Sequence, residues 1–495
     1  MKNEVLRIQN LNMPYSAGRS FKWVSLILFE GECTAFLGLS FSGKDYLLRI
    51  LTAQAGTEPA GAGIHIDGKR ITSRKQLETG VYRMSPENLS FREWSCADYI
   101  GLARAGWLLM GKQKKMLQTE TQRLADSLGI SLDVRRKLST LTEKEKRLAD
   151  LMRACSLGAR VLVVEDEFEG LPREEIAEFS VLLHTVAMRQ HLTVVLNIHS
   201  NEVFRLLADH YIVFRDGQII KKCRSSEVSG SDELEEYLLG TSMAQRMNLL
   251  TRGAELNRNA LEDGDEERGD AVYRMRNFPL EGHVTGKIKG EVRAVQRGDY
   301  LDLSFGKGEV TTILAMDERI RMRLFMSLSG RAPDAGVYCV IGERRLRSGE
   351  YRLFVKNRVV SVMHPGNSDE LFTNMNIGEN LVLPSVRKIS FSDYLFSSEQ
   401  LTKALDRDQI LEDVFDGSLK NSDVNDRIAV ALERWYMFNP KVLVLLEPFE
   451  QCDAYGVSIV RSYILKFAGR GASVIMVRSR DEYAEDISDK IIRIL

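Results

Sequence analysis

The chain repeats itself, and the repeat limits its fold more than any single motif does. "GARVLVVEDEFEG" from Gly158 and "NPKVLVLLEPFEQ" from Asn439 share an apolar run, acidic residues and Phe-Glu, and lie about 280 residues apart. "VVLNIHSNEVFRLLADHYIVF" near Val194 matches "VIMVRSRDEYAEDISDKIIRI" near Val474 at nearly the same offset, and "FEGECTAFL" from Phe29 matches "GKGEVTTIL" from Gly306. Three matches in one order mean a duplication. Each copy reads as strand, loop, helix, a helical middle, and two buried strands whose continuous apolar runs suit a parallel sheet. The helical middle of the first copy, "YIGLARAGWLLMGKQKKMLQTETQRLADSLGI", has the amphipathic period of long helices. Both copies are therefore expected to be α/β with a helical insert.

Between the copies, "LNRNALEDGDEERGDAVYRMRN" is polar and acid-rich, which predicts an exposed linker or a solvated helix end. The expected division is residues 1–240, a linker over 241–285, and 286–495. "FRDGQII" at Phe214 predicts an Asp-Gly hairpin that closes the first copy. The second copy stops at "KIIRIL" before any such hairpin, so its last sheet is expected to be shorter.

Composition narrows the function classes. Lys+Arg 68 against Asp+Glu 69 leaves a formal charge of −1 in 495 residues, so no bulk basic excess draws in nucleic acid or an anionic membrane. The six cysteines are scattered without a C-x-x-C pair, which indicates neither a disulfide framework nor a zinc cluster and fits a reducing cytoplasm. No apolar stretch reaches the roughly 18 residues needed to span a bilayer, so a membrane role is expected to act through a partner.

"FLGLSFSGKDYLLRIL", from Phe36, carries the chemistry. An apolar strand, G-x-x-x-x-G-K and a helical pattern follow one another, the setting in which backbone N–H groups and a helix N-terminus cradle phosphate. Gly38, Leu39, Ser40, Phe41, Ser42, Gly43, Lys44 and Asp45 are the candidate nucleotide-binding residues. Lys44 would reach the β/γ-phosphates. Asp45 stands where Ser or Thr is usual, and three roles stay open for it: a magnesium ligand, a charge that keeps triphosphate out, or an acidic residue favoured by the helix dipole.

The order of these stretches, with "LTEKEKRLADLMRACSLGARVLVVEDEFEGL", "NMNIGENLVLP" and "NPKVLVLLEPFEQCD", resembles the ATP-binding subunit of an ATP-binding-cassette (ABC) transporter, in the branch that imports ribose, galactose or xylose. The resemblance covers nearly the whole chain. It implies two tandem P-loop NTPase domains of the ABC cassette type, each with a helical subdomain. It further implies ATP and Mg²⁺ as cofactors, ATP sandwiched between one phosphate loop and the opposite signature loop, a permease as membrane partner with room for another cassette chain beside it, and a cytoplasmic site peripheral to the inner face of the membrane.

Carried over residue by residue, the resemblance gives Tyr15 as the aromatic that stacks on adenine, Glu165 as the metal acid, and Asp166 and His199 as catalytic residues. Asp45 and Glu165 are the metal candidates. Glu165-Asp166 is the reverse of the family's Asp-Glu order, which moves each carboxylate by about one methylene and predicts slow hydrolysis or none. The expected metal-sensing glutamine near Ser85 or Pro86 is missing. The signature reads "LTEKE", Leu141 to Glu145, with Glu143 and Lys144 where glycines belong; its counterpart near Asn421, Ser422 and Asp423 has none. In the second copy "AMDERIRM", Ala315 to Met322, contains no glycine and puts Arg321 at the lysine position, Leu446 at the metal acid and Ser479 at the histidine. That site is expected to be empty. Three functions compete: a sugar-importer subunit that binds ATP at the first cassette; a non-hydrolysing pseudo-ATPase that docks on a permease or sensor; and a soluble tandem-cassette translation factor, whose intact motifs and basic inter-cassette helix this chain lacks.

Overall fold

Short runs of valine, isoleucine and leucine form the centre of both repeats, because a strand covered on both faces has no side left for polar residues. The computed structural model describes residues 3–16, 19–40, 42–54, 63–89, 91, 93–105, 112–165, 168, 171–199, 201–228, 237–238, 271–280, 284–288, 294–297, 299–366, 371–372, 374–385, 419, 424–450 and 452–494. The chain divides into two compact units, Met1–Gly240 and Thr241–Leu495.

In the first unit a six-stranded sheet runs in the order Gln218–Arg224, His210–Arg215, Cys33–Leu37, Thr193–Leu196, Val161–Val164, Val81–Met84. All neighbours are parallel except the first pair, the expected hairpin, which turns at Asp216 and Gly217 with φ of +49° and +74°. Such doubly positive φ values are what Asp-Gly supplies without strain. An antiparallel layer places Glu4–Leu11 between Val24–Phe29 and Ile64–Ile66. Its alternation buries Val24, Leu26 and Leu28 and leaves Ile27 out. The helix Lys44–Leu51 packs Leu47, Leu48, Ile50 and Leu51 into the core shared with Phe36, Val163 and Phe214. The helical insert comprises Cys96–Ala105, Lys112–Leu128 and Glu143–Ser156.

The second unit repeats this plan. Its parallel sheet has the order Val284–Ile288, Lys490–Ile494, Val310–Ala315, Ser473–Arg478, Val442–Leu446, Val359–Met363. Two expectations need correction. The last sheet is not shorter: Val284–Ile288, from the start of the unit, pairs antiparallel with Lys490–Ile494 and takes the place that the hairpin strand holds in the first unit. Nor is all of 241–285 a linker, since Ala271–Pro279 is a strand that buries Tyr273, Met275 and Phe278 between Tyr300–Gly306 and Tyr338–Ile341. The acid run preceding it, residues 239–270, lies outside the described residues, as do Asn421, Ser422 and Asp423. All six cysteines are free thiols. Among the described residues no helix is long and apolar enough to cross a membrane.

Candidate nucleotide site

The phosphate-loop strand Cys33–Leu37 runs into Gly38, and six residues after Gly38 the helix Lys44–Leu51 begins. Both glycines are required by close approach. A Cβ on Gly38 would lie 2.5 Å from Ser42 Oγ and 2.8 Å from the Phe214 carbonyl oxygen. Gly43 has φ +95° and leaves only 2.8 Å to the Phe21 ring. In that left-handed conformation it forms the N-cap of the helix without a capping side chain. The Ser42 N–H donates to the Leu39 carbonyl at 2.9 Å and tightens the loop. Leu39 and Ser42 are buried and Ser40 is half-buried, while Phe41 lies outside the described residues.

Lys44 is 2% exposed. Its Nζ donates to Asn197 Oδ1 at 2.6 Å and pairs with Asp45 Oδ1 at 2.9 Å, and Asn197 Nδ2 donates to that same oxygen at 3.3 Å. Burial works against the Asp45 charge, but the Lys44 ammonium, the nearby His199 and these hydrogen bonds outweigh it and hold the carboxyl below its usual range. Lys44, Asp45, Asn197 and His199 therefore form one charged cluster at the mouth of the loop. Asn197 was not among the sequence candidates; the available signal was a polar residue directly after the buried run "TVVL". Tyr15 reaches the loop as well. Its ring centroid is 4.8 Å from that of Phe21 and 6.5 Å from that of Tyr46, beside Gly43.

Glu165 sits where the sheet register puts the strand end, with its N–H donating to the Met84 carbonyl at 2.9 Å. Its carboxylate is ion-paired with Arg83 of the neighbouring strand, a partner the sequence did not reveal. Asp166 lies outside the described residues. At the position expected for glutamine, the Ser85 N–H donates to Asp150, a buried carboxylate that also accepts from Tyr82, Tyr99 and Asn88. Thr142 caps the helix Glu143–Ser156: its hydroxyl accepts from Glu145 N at 3.2 Å, and Glu145 accepts from Thr142 N at 2.8 Å. The signature hydroxyl is thus engaged in a capping box.

The second unit can be compared position by position. Cys33 and Val310 each open the central strand and donate their N–H to an aspartate, Asp209 and Asp489. Lys44 then corresponds to Arg321, Asn197 to Val477 and His199 to Ser479. Here the helix Glu318–Ser329 starts after only Met316 and Asp317, so the open loop is replaced by helix. Asp317 Oδ1 accepts from Arg319 N at 2.7 Å and Ile320 N at 3.2 Å, placing a carboxylate on the amides that phosphate would need. Arg321, 5% exposed, donates to the Ala315 and Met316 carbonyls and pairs through Nε with Glu447 Oε1 at 3.1 Å. The cation at this turn is met by an internal ion pair.

No family model matches the chain. Its relatives align almost end to end. It is 24% identical over 497 residues to the ribose import ATP-binding protein RbsA of Jannaschia sp. (strain CCS1), covering 99% of this chain and 90% of that protein. To the RbsA of Geobacillus kaustophilus (strain HTA426) it is 23% identical, covering 98% and 94%. Among solved structures, cbiO1 from Clostridium perfringens, part of the ABC transporter complex cbiONQ, matches with TM-score 0.40 and 21% identity over 47% of this chain and 93% of that one. The fold rests on the sheet order and on the full-length relatives. Both units are P-loop NTPase domains of the ABC cassette type, as the sequence implied.

Proposed function

We propose that this chain, a full-length relative of ribose-import ATP-binding proteins, is an ATP-binding subunit that couples a nucleotide at its first cassette to a membrane permease. The observation that carries this reading is the contrast between the two turns. Gly38 and Gly43 bound an open turn with Lys44 beneath it, whereas Met316 and Asp317 leave no loop and supply their own anion. Tyr15 would lie against the base. Asp45 is the residue present that fits magnesium, since among the described residues its hydrogen bonds end on Oδ1; Glu165 would first have to release Arg83. Bound magnesium would offset the repulsion between Asp45 and a triphosphate. The Arg83–Glu165 pair and the capping role of Thr142 both support slow hydrolysis.

One pair of turns supports a macromolecular partner. Trp94 N–H donates to the Phe91 carbonyl and Met375 N–H to the Phe372 carbonyl, both at 3.0 Å, and Phe91 and Phe372 are each 51% exposed. Large aromatic side chains held outward at the same place in both units suit an interface better than solvent. The closed Lys44–Asp45 pair favours a second reading, in which the chain docks on a permease or sensor without nucleotide. Binding of a fluorescent ATP analogue, with and without Mg²⁺, separates them. Saturable binding that Lys44→Ala removes is expected; absence of binding by the unmodified chain would overturn the first reading in favour of the second.

A further inference from the structure

At the opposite end of the central strand from the phosphate loop, the first unit assembles three metal-ligating side chains from distant parts of the sequence. The ligand atoms of Cys33, His184 and Asp209 all lie within 4.8 Å of one another. Cys33 opens the strand, His184 lies on the helix Arg173–Arg189, and Asp209 precedes the strand His210–Arg215. No spacing rule could have joined them.

The orientation of each ligand is fixed from behind. His184 Nδ1 is 2.7 Å from the Ser180 main-chain carbonyl, which can only accept, so Nδ1 carries a proton. Nε2 faces Asp209 Oδ1 at 3.1 Å. The other carboxylate oxygen, Oδ2, accepts the Cys33 N–H at 3.0 Å. A histidine that donates its remote N–H to a backbone carbonyl, beside a carboxylate that is itself hydrogen-bonded, is how proteins orient metal ligands. Nε2 and Oδ1, now hydrogen-bonded at 3.1 Å, would have to part only to about 3.4 Å to serve as two ligands of a tetrahedral zinc ion.

The duplication supplies an internal comparison. Asp489 repeats the backbone role of Asp209, accepting from Val310 N at 2.8 Å, so the aspartate alone serves the strand. The positions matching Cys33 and His184 are Val310 and Ile464, both buried and apolar. The fold therefore requires neither thiol nor imidazole at these places. A surface pocket lined by His184, Asp209, His210, Glu32 and Arg224 opens onto the His184–Asp209 side of the cluster, with Cys33 buried behind it, and the buried His210 Nδ1 has no hydrogen-bond partner among the described residues.

We propose that Cys33, His184 and Asp209 form a binding site for a divalent transition metal of the zinc class, with the fourth position open to the pocket. Sulfur, nitrogen and oxygen donors together suit Zn²⁺ and Co²⁺ and disfavour Mg²⁺ or Ca²⁺. Binding the ion would release two protons to solvent, one from the Cys33 thiol and the one that His184 Nε2 donates to Asp209, and would tie the helix Arg173–Arg189 to the strand that carries the phosphate loop.

The test uses the untagged full chain, stripped with chelator and titrated with Co²⁺. One equivalent is expected to bind with a thiolate-to-cobalt charge-transfer band, and Zn²⁺ is expected to displace it and raise the Tm. Cys33→Val and His184→Ile, which install the residues of the second unit, should each remove the band and the shift. A chain without the band, or variants that keep it unchanged, would overturn the site and leave a plain histidine–aspartate pair. Should both variants fail to fold, the spectrum of the unmodified chain still decides.

Discussion

The two cassettes solve the same turn in opposite ways. In both, a buried strand must hand the chain to a helix under the edge of the sheet. The first does so with six residues, of which Gly38 permits close backbone approach and Gly43 a positive φ; the second does so with two, because without glycine the helix can begin three positions earlier and its N-terminus is capped by Asp317. Where Lys44 is clipped by Asn197 and Asp45 at a half-open mouth, Arg321 is sealed against Glu447. The second unit thus meets the buried cation at this turn with a carboxylate of its own.

The largest effect should come from breaking the sealed pair. Arg321→Ala removes the direct ion pair of buried Glu447, leaving it the Ser479 N–H and the nearby Arg478, and should cost about 3 kcal/mol, read as a drop in the denaturation midpoint of the second unit. An unchanged midpoint would mean that the pair is not buried in solution. Next, Gly43→Ala forces φ +95° on an L-residue against Phe21, which should cost about 1–2 kcal/mol and sharply weaken ATP-analogue binding.

Much of this contrast was legible in the sequence. The G-x-x-x-x-G-K loop, the Asp-Gly hairpin and the duplicated strand runs are local signals, and each appears where the pattern placed it. Long-range partners were not legible. The edge strand Val284–Ile288 was hidden because a strand pairs by register, not by proximity in sequence, and Ala271–Pro279 was hidden by the acid run before it. Asn197, Arg83 and the Cys33–His184–Asp209 cluster depend on which strands become neighbours, which no single segment encodes.

Smaller effects sharpen the comparison. Asp317→Ala removes the cap of the second helix and should cost about 1 kcal/mol by urea denaturation, without creating nucleotide affinity, since no loop is restored. The smallest expected effect is on acid stability. The Asp45 carboxyl is held below its unfolded value of about 3.9, so its contribution is present above that pH and is lost as pH falls through the lower folded-state value. Asp45→Asn should therefore flatten the acid limb of the stability curve; an identical limb would show that the Lys44–Asp45 pair contributes nothing.

Stoichiometry tests the asymmetry most directly. Equilibrium dialysis of the purified chain against radiolabelled ATP and Mg²⁺ should saturate at one nucleotide per chain and fall to none with Lys44→Ala. Two nucleotides per chain, or one that survives Lys44→Ala, would contradict the assignment of the first loop as the working site and the second as a sealed turn.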